Sequence, residues 1–219
     1  FRKEEKGMGN AGVIKIAVLI CLRLLTGEKS ADMEVNFGMF EAELTAKSES
    51  EELLDAFLAD EIPAVDDKEE NAFWASDRLG ADESGYDYFV YSVGERMDLD
   101  NDGEDEQIIN GPYGGLYLDA RNGKVYVLAQ GEGTARQLFF TYYEDAVWIV
   151  HCDITHVGRQ MYWLSKYDGD GKVADEFRFS AEYWDSPDGW YDENSDFTYR
   201  DKKITMEEYE ALGKEIFGW

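Results

Sequence analysis

Apolar positions change their spacing twice along this chain. In residues 50–58, SEELLDAFL, Leu53, Leu54, Phe57 and Leu58 recur at helical intervals, which predicts a short amphipathic helix ended by Pro63. From Tyr86 onward the spacing shortens to aromatic and β-branched runs such as YDYFVYSV, the composition of strands. Turn signals separate these runs. Asn122-Gly123, inside LYLDARNGKVYVLA, tolerates the two positive φ angles of a type I′ turn and predicts a hairpin. A second hairpin is predicted in RQLFFTYYEDAVWIVHCDI, turning near Glu144-Asp145. A third lies in RQMYWLSKYDGDGKVADEFRFSAEYW, turning at 168–171. Helical spacing then returns. Thr205 and Glu208 stand at the two positions of a capping box, and Ile204 and Tyr209 at those of a hydrophobic staple, so a helix is predicted from about Met206 to Phe217.

These elements define an α+β fold, mainly β: an antiparallel meander of hairpins, forming an open sheet or partial barrel, with a short N-terminal helix and a capped C-terminal helix. Between the first helix and the strands, DDKEENAFWASDRLGADESG reads as an acidic loop anchored by Phe73 and Trp74. The domain reading is an export-signal-like segment at 1–27, a linker at 28–48 and a single β-rich domain at 49–219. The first segment places Arg2, Lys3 and Lys6 before an apolar middle, as export signals do. Its longest unbroken apolar run covers only residues 16–22, bracketed by Lys15 and Arg23, so no transmembrane span is expected. Residues 24–27, LLTG, resemble the start of a lipoprotein signal. Glu28 stands where the lipid-bearing cysteine belongs, and Cys21 follows Ile20 rather than a small residue, so lipid attachment does not carry over. With Cys21 and Cys152 as the two cysteines, no structural disulfide is expected.

Charge narrows the function classes. The formal net charge is −27, of which −26 falls in residues 50–219. So negative a surface repels phosphate backbones, which excludes nucleic-acid binding by charge attraction. It leaves cations, a basic protein, or solubility alone as its uses.

One stretch spaces oxygen ligands regularly. In MDLDNDGEDEQII, Asp98, Asp100 and Asp102 take loop positions 1, 3 and 5 of a calcium loop, and Gly103 takes the turn at position 6. Glu104 offers its backbone carbonyl at position 7, and Glu106 binds directly or through water at position 9. Position 12 is Ile109 where an EF-hand has its bidentate Glu, so a strand rather than a helix is expected next. The pattern D-x-D-x-D-G-x-x-E before a strand resembles the calcium loops of extracellular β-rich modules. Without the bidentate ligand, affinity for Ca²⁺ should be weak, roughly 10⁻⁴–10⁻³ M. The plain alternative is a solvated acidic connection. The second acidic turn, DGDGK, carries Lys172 where a ligand is needed and reads as a turn only.

Two further constellations carry chemistry. In HCDITHVGRQ, His151 and Asp153 face the same side of a strand, with His156 and Arg159 in the loop beyond. This is a candidate interaction site, a zinc set or a His–carboxylate base in a metal-dependent hydrolase, or simply packing at a sheet's end. Cys152 faces the opposite side. In YWDSPDGWYDENSDFTY, Trp184, Trp190 and Tyr191 suit a glycan, with Asp188 or Asp192 for its hydroxyls, or else they pin a long loop to the sheet.

The stretches DLDNDGEDEQIINGPYGGLYLDARNGKVYVLA, HCDITHVGRQMYWLSKYDGDG and KKITMEEYEAL resemble a group of exported or lipoprotein-like proteins of gut-dwelling Gram-positive bacteria, over residues 50–219. The resemblance implies an extracytoplasmic setting and a calcium-type loop at 98–106, and brings no activity with it. The leading expectation is a non-enzymatic extracytoplasmic binding or structural domain with a structural calcium loop. The alternative is an acidic protein that binds and neutralises a basic partner, in the manner of an immunity protein.

Overall fold

The computed structural model describes residues 47–66, 68–80 and 90–219. The chain divides into two units, Phe1–Ala46 and Lys47–Trp219. The export-like segment, the linker up to residue 46 and the first half of the YDYFVYSV run lie outside the described residues.

Helix α1 (Glu49–Leu58) opens on a capping box, the Ser48-x-x-Glu51 signature just before its apolar run. Glu51 N donates to Ser48 Oγ and Ser48 N to the Glu51 carboxylate, both at 3.1 Å. The helix stops at Leu58, and Asp60 turns the chain at φ 63, so α1 ends well before Pro63. Asp60 then fixes the next turn, accepting from Ser76 N at 3.0 Å and Ser76 Oγ at 2.8 Å.

The meander divides into two six-stranded sheets, and neither closes into a barrel. The first contains β1 (Ala64–Val65), β2 (Ala72–Phe73), β3 (Ser92–Met97), β4 (Glu106–Asn110), β5 (Leu116–Arg121) and β6 (Lys124–Gln130), in the order β2-β1-β6-β5-β4-β3. All its neighbours are antiparallel except β1, which lies parallel to β6 with Ala64 opposite Val125. The second contains β7 (Gln137–Tyr143), β8 (Ala146–Asp153), β9 (Arg159–Tyr167), β10 (Val173–Glu182), β11 (Asp196–Tyr199) and β12 (Lys202–Ile204), an unbroken antiparallel meander. Helix α2 (Met206–Phe217) follows, with the predicted Thr205–Glu208 capping box and Gly218 in the left-handed region at its end.

The three predicted hairpins are present. Asn122 and Gly123 take φ 52 and 72, as a type I′ turn requires. Glu144 and Asp145 reach φ 50 and 57 without a glycine between them. A fourth hairpin joins β11 to β12 through Arg200 and Asp201, at φ 48 and 60. Its corner is braced by the Arg200 guanidinium, which lies 4.3 Å from the Phe177 ring centroid and pairs with Asp175.

Alternation along the strands builds three apolar layers. Leu116, Leu118 and Ala120 of β5 join Ile109 and Val125 under Leu54 and Phe57 of α1. Tyr117, Ile108 and Leu128 face the other way and meet Leu138, Val147 and Ile149 of the second sheet. Trp148, Val150 and Cys152 of β8 face outward again, to be covered with Phe179 by Tyr209 and Ile216 of α2. The helices therefore cover the outer faces of two stacked sheets. The central strands are buried on both sides, which is why AVWIV reads as a continuous apolar run. Phe73 anchors its loop by an edge-on contact with Phe57, whereas Trp74 is exposed. Cys152 is a free, buried thiol, pushed up to about 11 by burial.

Candidate metal centre

The loop at 98–105 joins β3 to β4. Its residues alternate in direction. Leu99 is wholly buried in the layer between the sheets, while one carboxylate oxygen each from Asp98, Asp100 and Glu106 lie within 4.8 Å of one another. Among the described residues this is the one group of three or more His, Cys, Asp or Glu side chains placed to share an ion. Gly103 turns the loop at φ 93 with open space around it, so glycine serves backbone conformation there rather than close approach.

Backbone donors shape the cluster. Asp98 accepts from Asn101 N at 2.7 Å and from Gly103 N at 3.2 Å. Glu106, the first residue of β4, accepts from Leu99 N at 2.6 Å and Asp100 N at 3.1 Å through one oxygen. Asp100 is wholly buried. Its Oδ1 accepts from Asp102 N at 3.2 Å, and its Oδ2 is buried with no hydrogen-bond partner. An orphaned carboxylate oxygen in such a place is costly unless a cation or a proton satisfies it.

The electrostatics agree. Burial, then the charges of Asp102 and Asp98, push Asp100 up to about 6, against the Asp102 N–H and Arg121. Burial, then the charge of Asp100, pushes Glu106 up to about 8, although the Leu99 and Asp100 N–H groups oppose it. Three carboxylate oxygens this close could share a cation, and a divalent ion would neutralise charges that otherwise repel.

Of the five acidic residues read as ligands, three converge. The Asp102 carboxylate stands outside the group, as does the side chain of Glu104, whose expected ligand is its backbone carbonyl. The Asp102 carboxylate accepts from Glu104 N at 2.7 Å, and Glu104 is exposed. Asp102 also receives the β9–β10 turn: a Cβ on Gly169 would stand 2.5 Å from the Asp102 Cβ. Gly171 is packed in the same way against the Arg121 guanidinium, which pairs with Asp119 and lies 4.2 Å from the Tyr126 ring centroid. The DGDGK turn is thus a turn, as predicted, and its glycines permit close approach to the acidic loop.

Asn101 is the residue that spacing alone missed. At φ 70 it aims its side chain at the second sheet, where it bonds the backbone of Val147. Its position between two ligand candidates is the only signal in the sequence, and it does not identify the partner.

The histidine segment divides in two. His151 Nε2 lies 3.0 Å from Gln130 O, and since a carbonyl only accepts, Nε2 carries the proton. Burial lowers its tendency to charge further. Asp153, wholly buried, instead binds His156 Nδ1 at 2.6 Å and pairs with Arg159. Burial raises the Asp153 carboxyl, but His156 and Arg159 outweigh it and hold it below the ordinary range. His151, Asp153 and His156 do not form a three-ligand set, so the geometry needed for the zinc reading is absent among the described residues. In the aromatic loop, Tyr191 packs on Tyr183, Phe197 and Tyr209, while Trp184 and Trp190 face solvent.

Compared with protein-family models, curated proteins and solved structures, the chain matches none.

Proposed function

We propose that this is a non-enzymatic, extracytoplasmic β-rich domain in which Asp98, Asp100 and Glu106 hold a structural Ca²⁺. The observation that carries the reading is the buried Asp100 carboxylate, whose Oδ2 has no partner and which shares a 4.8 Å cluster with the carboxylates of Asp98 and Glu106. All three donors are hard oxygens, which suit Ca²⁺ or Mg²⁺ and not softer metals. The loop is irregular and stiffened by its own backbone bonds, which favours the ion that tolerates irregular shells over the one that demands an octahedron. A role in stability follows from the other face of the loop, where Leu99 and Asn101 engage the second sheet. Calcium is abundant outside the cytoplasm, so a weak site fills there; the export-like N-terminal segment supports that setting.

The test is thermal melting of the full chain in EGTA, in millimolar Ca²⁺ and in Mg²⁺. Binding to the native state adds about 1.4 kcal/mol at roughly ten times Kd. A rise of several degrees specific to Ca²⁺, lost in Asp100→Asn/Glu106→Gln, is the expected result. No shift, or an equal shift in the variant, sinks the proposal.

A further inference from the structure

The β8–β9 loop at 154–158 and the β10–β11 loop at 183–195 meet at one end of the second sheet. Tyr183 N donates to Gly158 O at 2.8 Å. Gly158, at φ +88, lies so close to Trp184 that a Cβ would stand 2.6 Å from its ring. Val157 lies across from Gly189, with its Cγ1 3.9 Å from where a Cβ would sit. Both loops are well rooted. Buried Asp153 holds His156 and Arg159, which flank Val157 and Gly158, and Tyr191 is turned into the core. The Arg159 guanidinium backs the Trp184 ring at 5.5 Å.

On these anchored loops four large apolar side chains face solvent: Ile154 at 48%, Val157 at 79%, Trp184 at 59% and Trp190 at 67% exposure. Single exposed apolar residues are ordinary, but a cluster of them on two touching loops marks an interaction surface. Tryptophan is the residue that most often dominates binding energy at such surfaces. Charge indicates the partner. Residues 183–195 carry Asp185, Asp188, Asp192 and Glu193 and no Lys or Arg. The nearby basic side chains, His156 and Arg159, are already held by Asp153. Tryptophan faces set among unneutralised carboxylates attract ammonium and guanidinium groups through the ring and the charge together. A neutral glycan would use the rings and leave the carboxylates unmatched.

We propose that Trp184 and Trp190, with Asp185, Asp188 and Asp192, form a docking surface for a basic segment of a partner protein, Lys or Arg side chains lying over the indoles. The surface is independent of the metal reading, since it lies on loops that contribute no carboxylate to the metal cluster.

Octa-arginine and a neutral tetrasaccharide, cellotetraose, serve as probes in calorimetric titrations of the full chain at physiological salt. Trp184→Ala/Trp190→Ala leaves net charge unchanged and is expected to weaken octa-arginine binding about tenfold. Glu144→Gln/Asp145→Asn, which removes two charges at the opposite end of β8, should change it less than twofold. Because Trp184 packs on Gly158, the single variant Trp190→Ala, melting as the parent does, guards against a folding defect and should also bind more weakly. Equal affinity for parent and tryptophan variants would mean diffuse charge attraction and would overturn the proposal. So would binding of cellotetraose alone, or of neither probe.

Discussion

The side-chain amide of Asn101 does for Val147 what a neighbouring strand would do. Val147 N donates to Asn101 Oδ1 at 2.7 Å, and Asn101 Nδ2 donates to Val147 O at 3.1 Å. Val147 lies beyond the β8–β9 ladder, whose pairing begins at Ile149 and Ser165. A side chain from the acidic loop of the first sheet thus completes the hydrogen bonding of the second.

Asn101→Ala is expected to leave both Val147 groups without partners and to cost about 1–3 kcal/mol. For a domain of this size that is a fall of roughly 2–4 °C for each kcal/mol. Asn101→Gly keeps the φ of 70 accessible while removing the same bonds. It should therefore recover only the backbone part of the loss. Full recovery in the glycine variant, by chemical denaturation, would refute the bridging role.

Glu104→Gln removes one exposed charge from the acidic loop without touching the converging group. Its calcium-dependent melting should match that of the parent, whereas Glu106→Gln should abolish the response. A loss of response in the Glu104 variant would show that ligands are recruited beyond the three that converge.

The metal-free protein should lose stability as pH rises from about 5 to 8. Asp100 is pushed up to about 6 and Glu106 to about 8, above their unfolded values of roughly 4. In that window the folded state holds more protons than the unfolded chain, so the unfolding free energy falls with rising pH. Below about pH 4 both states are protonated and the contribution is constant. Asp100→Asn/Glu106→Gln should flatten the slope relative to the parent in melts run in EGTA. On the proposed reading Ca²⁺ should reverse the trend, since it would bind the deprotonated carboxylates and stabilise most at the alkaline end.

Gly169→Ala should be destabilising by about 1 kcal/mol or more for two reasons that add. The residue sits at φ +83, and a Cβ would collide with Asp102. If the turn braces the loop, the variant also needs more calcium for half-maximal stabilisation. An unchanged calcium midpoint would limit the glycine to a local role.

Elements with self-contained chemistry were legible in the sequence. The Thr205–Glu208 box marks the start of α2, and Asn122-Gly123 marks a turn whose two φ angles few other residues accept. The Arg200-Asp201 hairpin was not legible, since its positive φ angles are sustained by tertiary contacts to Phe177 and Asp175 rather than by residue type. Likewise β1 is two residues long and exists through its parallel pairing with β6, a long-range contact that local pattern cannot show. The division into two sheets was hidden because central strands buried on both faces lose the alternation that would assign each side. At the site, the acidic spacing pointed to Asp98, Asp100, Asp102, Glu104 and Glu106, of which the side chains of Asp98, Asp100 and Glu106 converge. It could not tell which carboxylates the chain's path would turn inward, nor that Asn101 would reach another sheet.

Alternation in the 98–106 loop has a consequence for what changes the molecule can accept. Asp98, Asp100 and Glu106 turn towards one another, while Leu99 and Asn101, which lie between them, face the second sheet. Inserting or deleting one residue between Asp98 and Glu106 would move carboxylates out of the cluster or Leu99 out of the apolar layer, since both are set by the same short loop. Surface loops commonly tolerate changes of length. Here length is the property least free to vary, and individual side chains outside the two sets, such as Glu104, are freer to drift than the count of residues between β3 and β4.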